Sequence, residues 1–389
     1  MPEKNVSRRK IMAAIIAISM SNGLLHCLSP VLGEIQLHYP EVSVSMIQML
    51  ITISDLTAIA VALITGWLAM RISQKRLFMF AAFVAAVSGF LPYLADSFGL
   101  LLMSRMLYGV DLGIVVSLIT ALVADYFEGD ERVKAMGIQG ASVGAGMVVV
   151  TTLSGIIGSY GFQHVYMLHG LAFITLIIVA ICLPDEIKTD EQKKEKIRLN
   201  RYVYVMAAFV FVESFFVIVF STNISMHLAG ALKGSTSVAG AVTGVFSASQ
   251  IVMGLALGRV EKYTRKFTLP VAMLSMAAGY LILVLFPDKL VMLIIGATLA
   301  GFSQGMYFPK AMVEVSTVVP PSSTAMASGV MTVSLCGAQL ISPVVVNLLT
   351  GMVFGSVTTT HVYLFSCICI AIASAAAAIW KAMGQAKKE

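Results

Sequence analysis

Residues 98–125 read FGLLLMSRMLYGVDLGIVVSLITALVAD. Apart from Arg105, Asp111 and the closing Asp125, nothing in this run is charged. As a helix rising 1.5 Å per residue, it is long enough to cross a hydrocarbon core about 30 Å thick. Arg105, Gly109 and Gly113 recur every fourth residue and so share one stripe, while Asp111 falls on another face with Ser104 and Tyr108. A helix that is apolar all round with two charges near its middle belongs in a membrane, and the charges need a reason to be there.

Outward from this run the pattern repeats. Apolar stretches bounded by charges and turns place further spans near 11–33, 44–70, 77–95, 135–158 and 163–183, then near 202–228, 237–258, 267–286, 290–314, 323–350 and 360–382. With 58% hydrophobic and 12% charged residues, the chain has too little polar surface for a water-soluble fold of 389 residues, which would carry about 25% charged residues. This excludes a soluble enzyme, a secreted disulfide scaffold and a disordered regulator. The fold class is therefore an all-α membrane protein of twelve transmembrane helices. Residues 184–201, crowded with charges, divide it into an N-terminal six-helix bundle (1–183) and a C-terminal one (202–389).

The two halves match at a constant offset. Gly66, Gly109, Gly113 and Gly137 stand 192 residues before Gly258, Gly301, Gly305 and Gly329. A parallel duplication with a site near the midplane is a recurring transporter architecture.

The net charge of +6 sits in short clusters between spans, not on a basic face, so no nucleic-acid partner is expected. Of 26 Lys and Arg residues, 22 fall on the side of the termini, against Lys233 and Lys289 opposite and Arg105 and Lys310 within spans. Both termini are expected to be cytoplasmic. The run from Ile11 to Gly33 exceeds a secretory signal core and reads as a retained first span, and a bacterial inner membrane is the expected location. The five cysteines lie in or beside apolar runs; Cys367 and Cys369, two apart, point to different helix faces, so no metal is expected.

At this point the chain resembles the major facilitator superfamily over nearly its whole length. The superfamily's G-x-L-A-D-R-x-G-R-R loop has its counterpart in Gly66-Trp67-Leu68-Ala69-Met70-Arg71-Ile72-Ser73-Gln74-Lys75-Arg76, with Met70 in place of the Asp and Ser73 in place of the second Gly. The resemblance implies a conformational gate at Gly66 and Arg71, with Asp125 as the acid that Arg71 reaches; alternatively the basic residues only set topology. Arg105-x-x-x-Gly109 is similar to the superfamily's R-x-x-x-G motif, its glycines read as packing residues before substrate contacts. The fifth span, Gly146 to Gly155, lacks the Gly-Pro pair carried by drug–proton antiporters of the superfamily.

A charge near the bilayer centre costs about 2.5–3.5 kcal/mol on insertion scales. Glu213 lies about twelve residues, roughly 18 Å, into the seventh span. Phe209, Phe216 and Phe220 share its side. A carboxyl in such surroundings suits a group that takes up and releases a proton; a structural hydrogen bond is the rival reading. Asp55 and Asp111 are the further proton-coupling candidates. Arg105 and Lys310, with Phe209, Phe216, Gln304, Tyr307 and Gln339, are the substrate-binding candidates, although Lys310 also has the reach to extend its ammonium to the membrane interface. Gln250 and Asn347 are further polar groups that serve either a cavity or helix packing.

No phosphate loop or hydrolase motif is present, so an enzyme is not expected, nor is a cofactor. The expected function is secondary active transport of a small organic molecule by alternating access, coupled to protons. Export (efflux) of amphiphilic compounds by antiport is favoured over uptake or exchange of a small organic anion through Arg105 and Lys310. The expected partners are that substrate, protons and the lipid bilayer, and the expected state is a monomer.

Overall fold

The structure, a computed structural model, describes residues 7–69, 71–185, 199–232, 235–319 and 324–386. Met70, Lys233 and most of the charged linker, from Glu186 to Arg198, lie outside them. Every regular element among the described residues is helical: α1 (Arg8–Ser21), α2 (Leu32–His38), α3 (Val44–Leu68), α4 (Gln74–Ser88), α5 (Phe98–Tyr126), α6 (Gly129–Gly158), α7 (Leu171–Cys182), α8 (Arg201–Leu232), α9 (Thr236–Thr264), α10 (Thr268–Leu285), α11 (Leu290–Val318), α12 (Thr324–Phe354) and α13 (Thr359–Ala386), with short 3₁₀ turns between some of them.

Among the described residues, eleven segments are long and apolar enough to span a membrane. One of them, Thr236–Leu285, has 50 residues and as a single helix would reach about 75 Å. It is two crossings, α9 and α10, reversing at Arg265 with a φ of 49°. That brings the spans to the twelve expected. Helices α6 and α9 begin or end about six residues beyond the apolar runs, because Arg132 and Lys134, and Arg259 and Lys262, continue the helix with their charges exposed to water. Large exposed apolar side chains such as Leu63, Ile181, Leu255 and Ile372 suit a lipid environment.

The first span is broken. Where the sequence suggests one helix over 11–33, the chain tightens to 3₁₀ turns at Asn22–His26 and Ser29–Val31 before resuming as α2 and ending at His38. Pro30 lacks the N–H that a continuous helix would use, which explains the break.

Contacts group the chain into two compact units, residues 1–28 with 50–192 and residues 29–49 with 193–389. Residues 29–49 pack with α8 and its neighbours. The core of the first unit gathers Ile11, Ile15, Phe78, Leu118 and Leu122. That of the second gathers Val210, Phe220, Met273, Tyr280 and Leu293.

Within each unit the helices meet through the repeated glycines. A Cβ on Gly109 would strike the carbonyl oxygen of Ser54, and one on Gly113 would come within 2.6 Å of that of Ala58. In the second unit Gly301 stands against the carbonyl of Phe246 and Gly305 against that of Gln250. Both partners in each contact are offset by 192, so the repeat seen in sequence is a repeat of contacts. The other pairs, Gly66 with Gly258 and Gly137 with Gly329, also match each other: a Cβ on any of the four would meet nothing within 4 Å.

Gly109→Val and Gly301→Val should each cost at least about 1–3 kcal/mol, because backbone must move to admit the side chain. Gly66→Ala should be close to neutral. Thermal melting of the detergent-purified variants checks both; equal melting of Gly109→Val and Gly66→Ala would contradict the packing role.

Candidate functional site

In the first unit the charge is held by backbone. Arg105 is fully buried. Its Nε donates to the Leu50 carbonyl at 2.9 Å, Nη1 to that of Leu24 at 3.2 Å and Nη2 to that of Leu25 at 2.6 Å. Cys27 Sγ and His169 Nε2 lie 3.6 and 3.5 Å from Nη1, and the guanidinium carbon sits 4.9 Å from the centre of the Tyr108 ring. Two of the three carbonyls belong to the unwound turn of the first span. Their dipoles replace the water that a buried cation would otherwise lose. The sequence marks Arg105 but gives no sign that its partners are main-chain atoms; Pro30 and Gly23 were the available hints of a break. Cys27 is tied further, its carbonyl accepting from Ser154 Oγ. Gly23 and Gly146 meet backbone to backbone beside it.

Asp55 and Asp111 are both buried, on α3 and α5. Asp111 Oδ2 has no hydrogen-bond partner among the described residues.

In the second unit Glu213 is buried on α8. Its Oε2 receives a long 3.5 Å bond from Ser214 Oγ, and its Oε1 has no partner among the described residues. Tyr307 Oη, Ser303 Oγ and Gln304 Oε1 on α11 are likewise buried and unpartnered. The aromatic candidates divide. Phe209 packs on Trp380 with ring centres 5.3 Å apart, Phe216 meets Phe215 edge-on at 5.0 Å, and Phe220 stacks on Phe246 at 4.4 Å. The Phe216 carbonyl also accepts from Tyr280 Oη at 2.6 Å. Gln339 is buried on α12.

Lys310 is engaged by acids. Its Nζ pairs with Glu261, and Glu314 Oε1 stands 3.7 Å away, one turn along α11. Glu314 in turn pairs with Lys381 and accepts from Tyr202 Oη at 2.6 Å. The cluster joins α8, α9, α11 and α13 near one end of the unit. Of its members the sequence reading singled out Lys310 alone. The i, i+4 spacing of Lys310 and Glu314 was legible, whereas Glu261 and Lys381 come from distant helices.

A sequence model of the Major Facilitator Superfamily matches residues 11–219 and again 206–388. This chain belongs to the Major Facilitator Superfamily. The riboflavin transporter RibZ of Clostridioides difficile (strain 630) is 26% identical over 155 residues, 40% of this chain and 34% of RibZ, so the chain spans about a third of that relative's length. The quinolone resistance protein NorA of Staphylococcus aureus (strain COL) is 22% identical over 248 residues, covering 61% of this chain and 64% of NorA. Among solved structures, the nucleoside transporter NupG superposes with a TM-score of 0.75 at 14% identity, over 95% of this chain and 99% of that one. The superfamily is one of membrane transporters, not enzymes.

The superfamily loop between α3 and α4 keeps its basic residues but distributes them locally. Arg71 lies over the Trp67 ring at 4.3 Å, and Asp125 accepts from Gln74 Nε2 at 3.0 Å. Arg76 carries an ion pair in this loop, reaching Asp185 Oδ2 at 2.8 and 3.0 Å through Nη2 and Nε, while Ser73 Oγ donates to the same carboxylate. The Ser73 hydroxyl, and then Arg76, hold the Asp185 carboxyl below the usual range.

Two outcomes follow. Because its folded value is depressed, Asp185 lends stability above its unfolded pKa of about 3.9 and loses it only as pH falls through the lowered value. Carbon NMR titration of the labelled protein should show this, with Arg76→Gln returning the carboxyl toward ordinary behaviour. Lys310→Met alone leaves Glu261 and Glu314 without that cation and should lower the melting temperature more than Lys310→Met combined with Glu261→Gln. Additive losses in the double variant would show that the pair is not coupled.

Proposed function

We propose that the chain is a proton-coupled secondary transporter that exports amphiphilic organic molecules by alternating access of its six-helix halves (1–183 and 202–389). The observation that carries the proton site is Glu213, buried in a membrane span with one carboxyl oxygen unpartnered and no cation beside it among the described residues. An ionised carboxylate there would be costly, so the group holds a proton while enclosed and releases it when water reaches it. Asp111, similarly placed in the other half, is the second proton candidate, with Asp55 a third.

Support for export comes from the resemblance to NorA, a quinolone resistance protein, and from two occupied cations. Arg105 is bound by three carbonyls and Lys310 by two acids, so neither offers a free charge to an anionic substrate in this state. Uptake or exchange of a small organic anion would require one of them to change partners. Gln304 and Tyr307, with unpartnered polar atoms, and Gln339 are the substrate contacts of this reading. On topology, the basic clusters support a reading with both termini cytoplasmic, which we pair with a bacterial inner membrane and a monomeric transporter.

The test is proton flux in liposomes holding the purified protein, with ethidium, a quinolone, riboflavin and small carboxylates offered in parallel. Ethidium or quinolone movement should release lumenal acid in wild type and fall at least tenfold in Glu213→Gln. Undiminished proton-driven transport by Glu213→Gln would remove Glu213 from the mechanism, and flux with carboxylates alone would replace export with anion exchange.

A further inference from the structure

The second unit contains a polar cluster that joins the tip of the first two spans to α8 and α12. Gln48, fully buried on α3, donates through Nε2 to Asn223 Oδ1 at 2.9 Å and accepts at Oε1 from Asn347 Nδ2 at 2.8 Å. The same Asn347 amide reaches Ser45 Oγ at 2.9 Å, and Asn223 Nδ2 donates to the Val219 carbonyl at 3.0 Å and to Thr222 Oγ1 at 3.1 Å. On the α2 side, Ser225 Oγ donates to the Pro30 carbonyl at 2.6 Å and accepts from the Gly33 N–H at 3.2 Å. Ser29 Oγ donates to the Ser221 carbonyl.

We propose that Gln48, Asn223 and Asn347 form a carboxamide clasp that opens and closes one end of the transport pathway by releasing and recapturing residues 29–49. Three observations converge on this. Residues 29–49 belong by contact to the second unit although the rest of their spans belongs to the first. One boundary of that transfer, between Leu28 and Ser29, falls between the two 3₁₀ turns, where the helical bond pattern is already interrupted. Finally, among the described residues the joint contains no ion pair and is made of neutral side-chain amides and hydroxyls. Such groups exchange a protein partner for water at a net cost of only about 0.5–1.5 kcal/mol per bond, so a handful of them can close firmly and still open.

The clasp rests on alternating access but not on the proton site, so it is tested without substrate or proton gradient. Amide hydrogen exchange by mass spectrometry is measured on the full chain in lipid nanodiscs. Gln48→Met keeps the side-chain volume and removes both amide bonds, which should raise exchange across 29–49 about tenfold. In the Ser45→Cys, Asn347→Cys variant, oxidation should lower exchange across 29–49 at least fivefold, and dithiothreitol should restore it, with intact mass reporting the bond. Exchange in 268–285 should stay at its wild-type rate throughout. If 29–49 exchanges equally in wild type and Gln48→Met, or if the formed disulfide leaves exchange unchanged, the contact is static and the proposal is wrong. A rise that spreads equally to 268–285 would show general loosening and also overturn it.

Discussion

Backbone approaching backbone at glycine sets the geometry of each unit. Side chains in a bilayer gain little from leaving lipid for a neighbouring helix, so close packing decides which helices pair. At Gly109 and Gly113 the α3 carbonyls of Ser54 and Ala58 occupy the space a side chain would need, and at Gly301 and Gly305 those of α9 do the same. Once α5 lies this close to α3, Ser54 Oγ reaches the Arg105 carbonyl at 2.8 Å, and the Arg105 side chain is aimed at the first span. The placement of the buried cation thus depends on two absent methyl groups.

The repeated scaffold carries unlike chemistry in its two halves. Shifted by 192 residues, Arg105 falls on Ala297, Asp55 on Ser247 and Asp111 on Ser303, while Glu213 falls back on Ser21. The packing glycines were kept and the charges were not. One unit holds a cation among carbonyls with the buried acids Asp55 and Asp111, and the other the acid Glu213 on α8, with no ion-pair partner among the described residues, and a set of paired charges at the end of its helices.

Much of this was readable from the chain. The spans, the 192-residue repeat and the buried charges follow from hydropathy, spacing and the cost of charge in lipid, since each is a property of one segment. Partnership between segments was not readable. Asn347 and Gln250 carried the same sequence signal, a polar residue in an apolar run, yet Asn347 joins the Gln48 amide while the Gln250 backbone seats Gly305. Phe220 shares a side with Glu213 by spacing, but its stacking on Phe246 was not legible, because helix spacing fixes a face and not the neighbour it meets. The break in the first span had its cause in view at Pro30, but the use made of it, solvating a guanidinium four helices away in sequence, is a tertiary fact.

The partners of Arg105 also have an order in time. Leu24, Leu25 and Leu50 all precede it in the chain, and a membrane protein enters the bilayer from its N-terminal end during synthesis. When the ribosome delivers the fourth span, the segments bearing the carbonyls that will receive its cation have already been made. A guanidinium that inserted first would have to wait in lipid or drag water with it. Here the acceptors are made before the donor, so a costly buried side chain is synthesised only after its backbone partners.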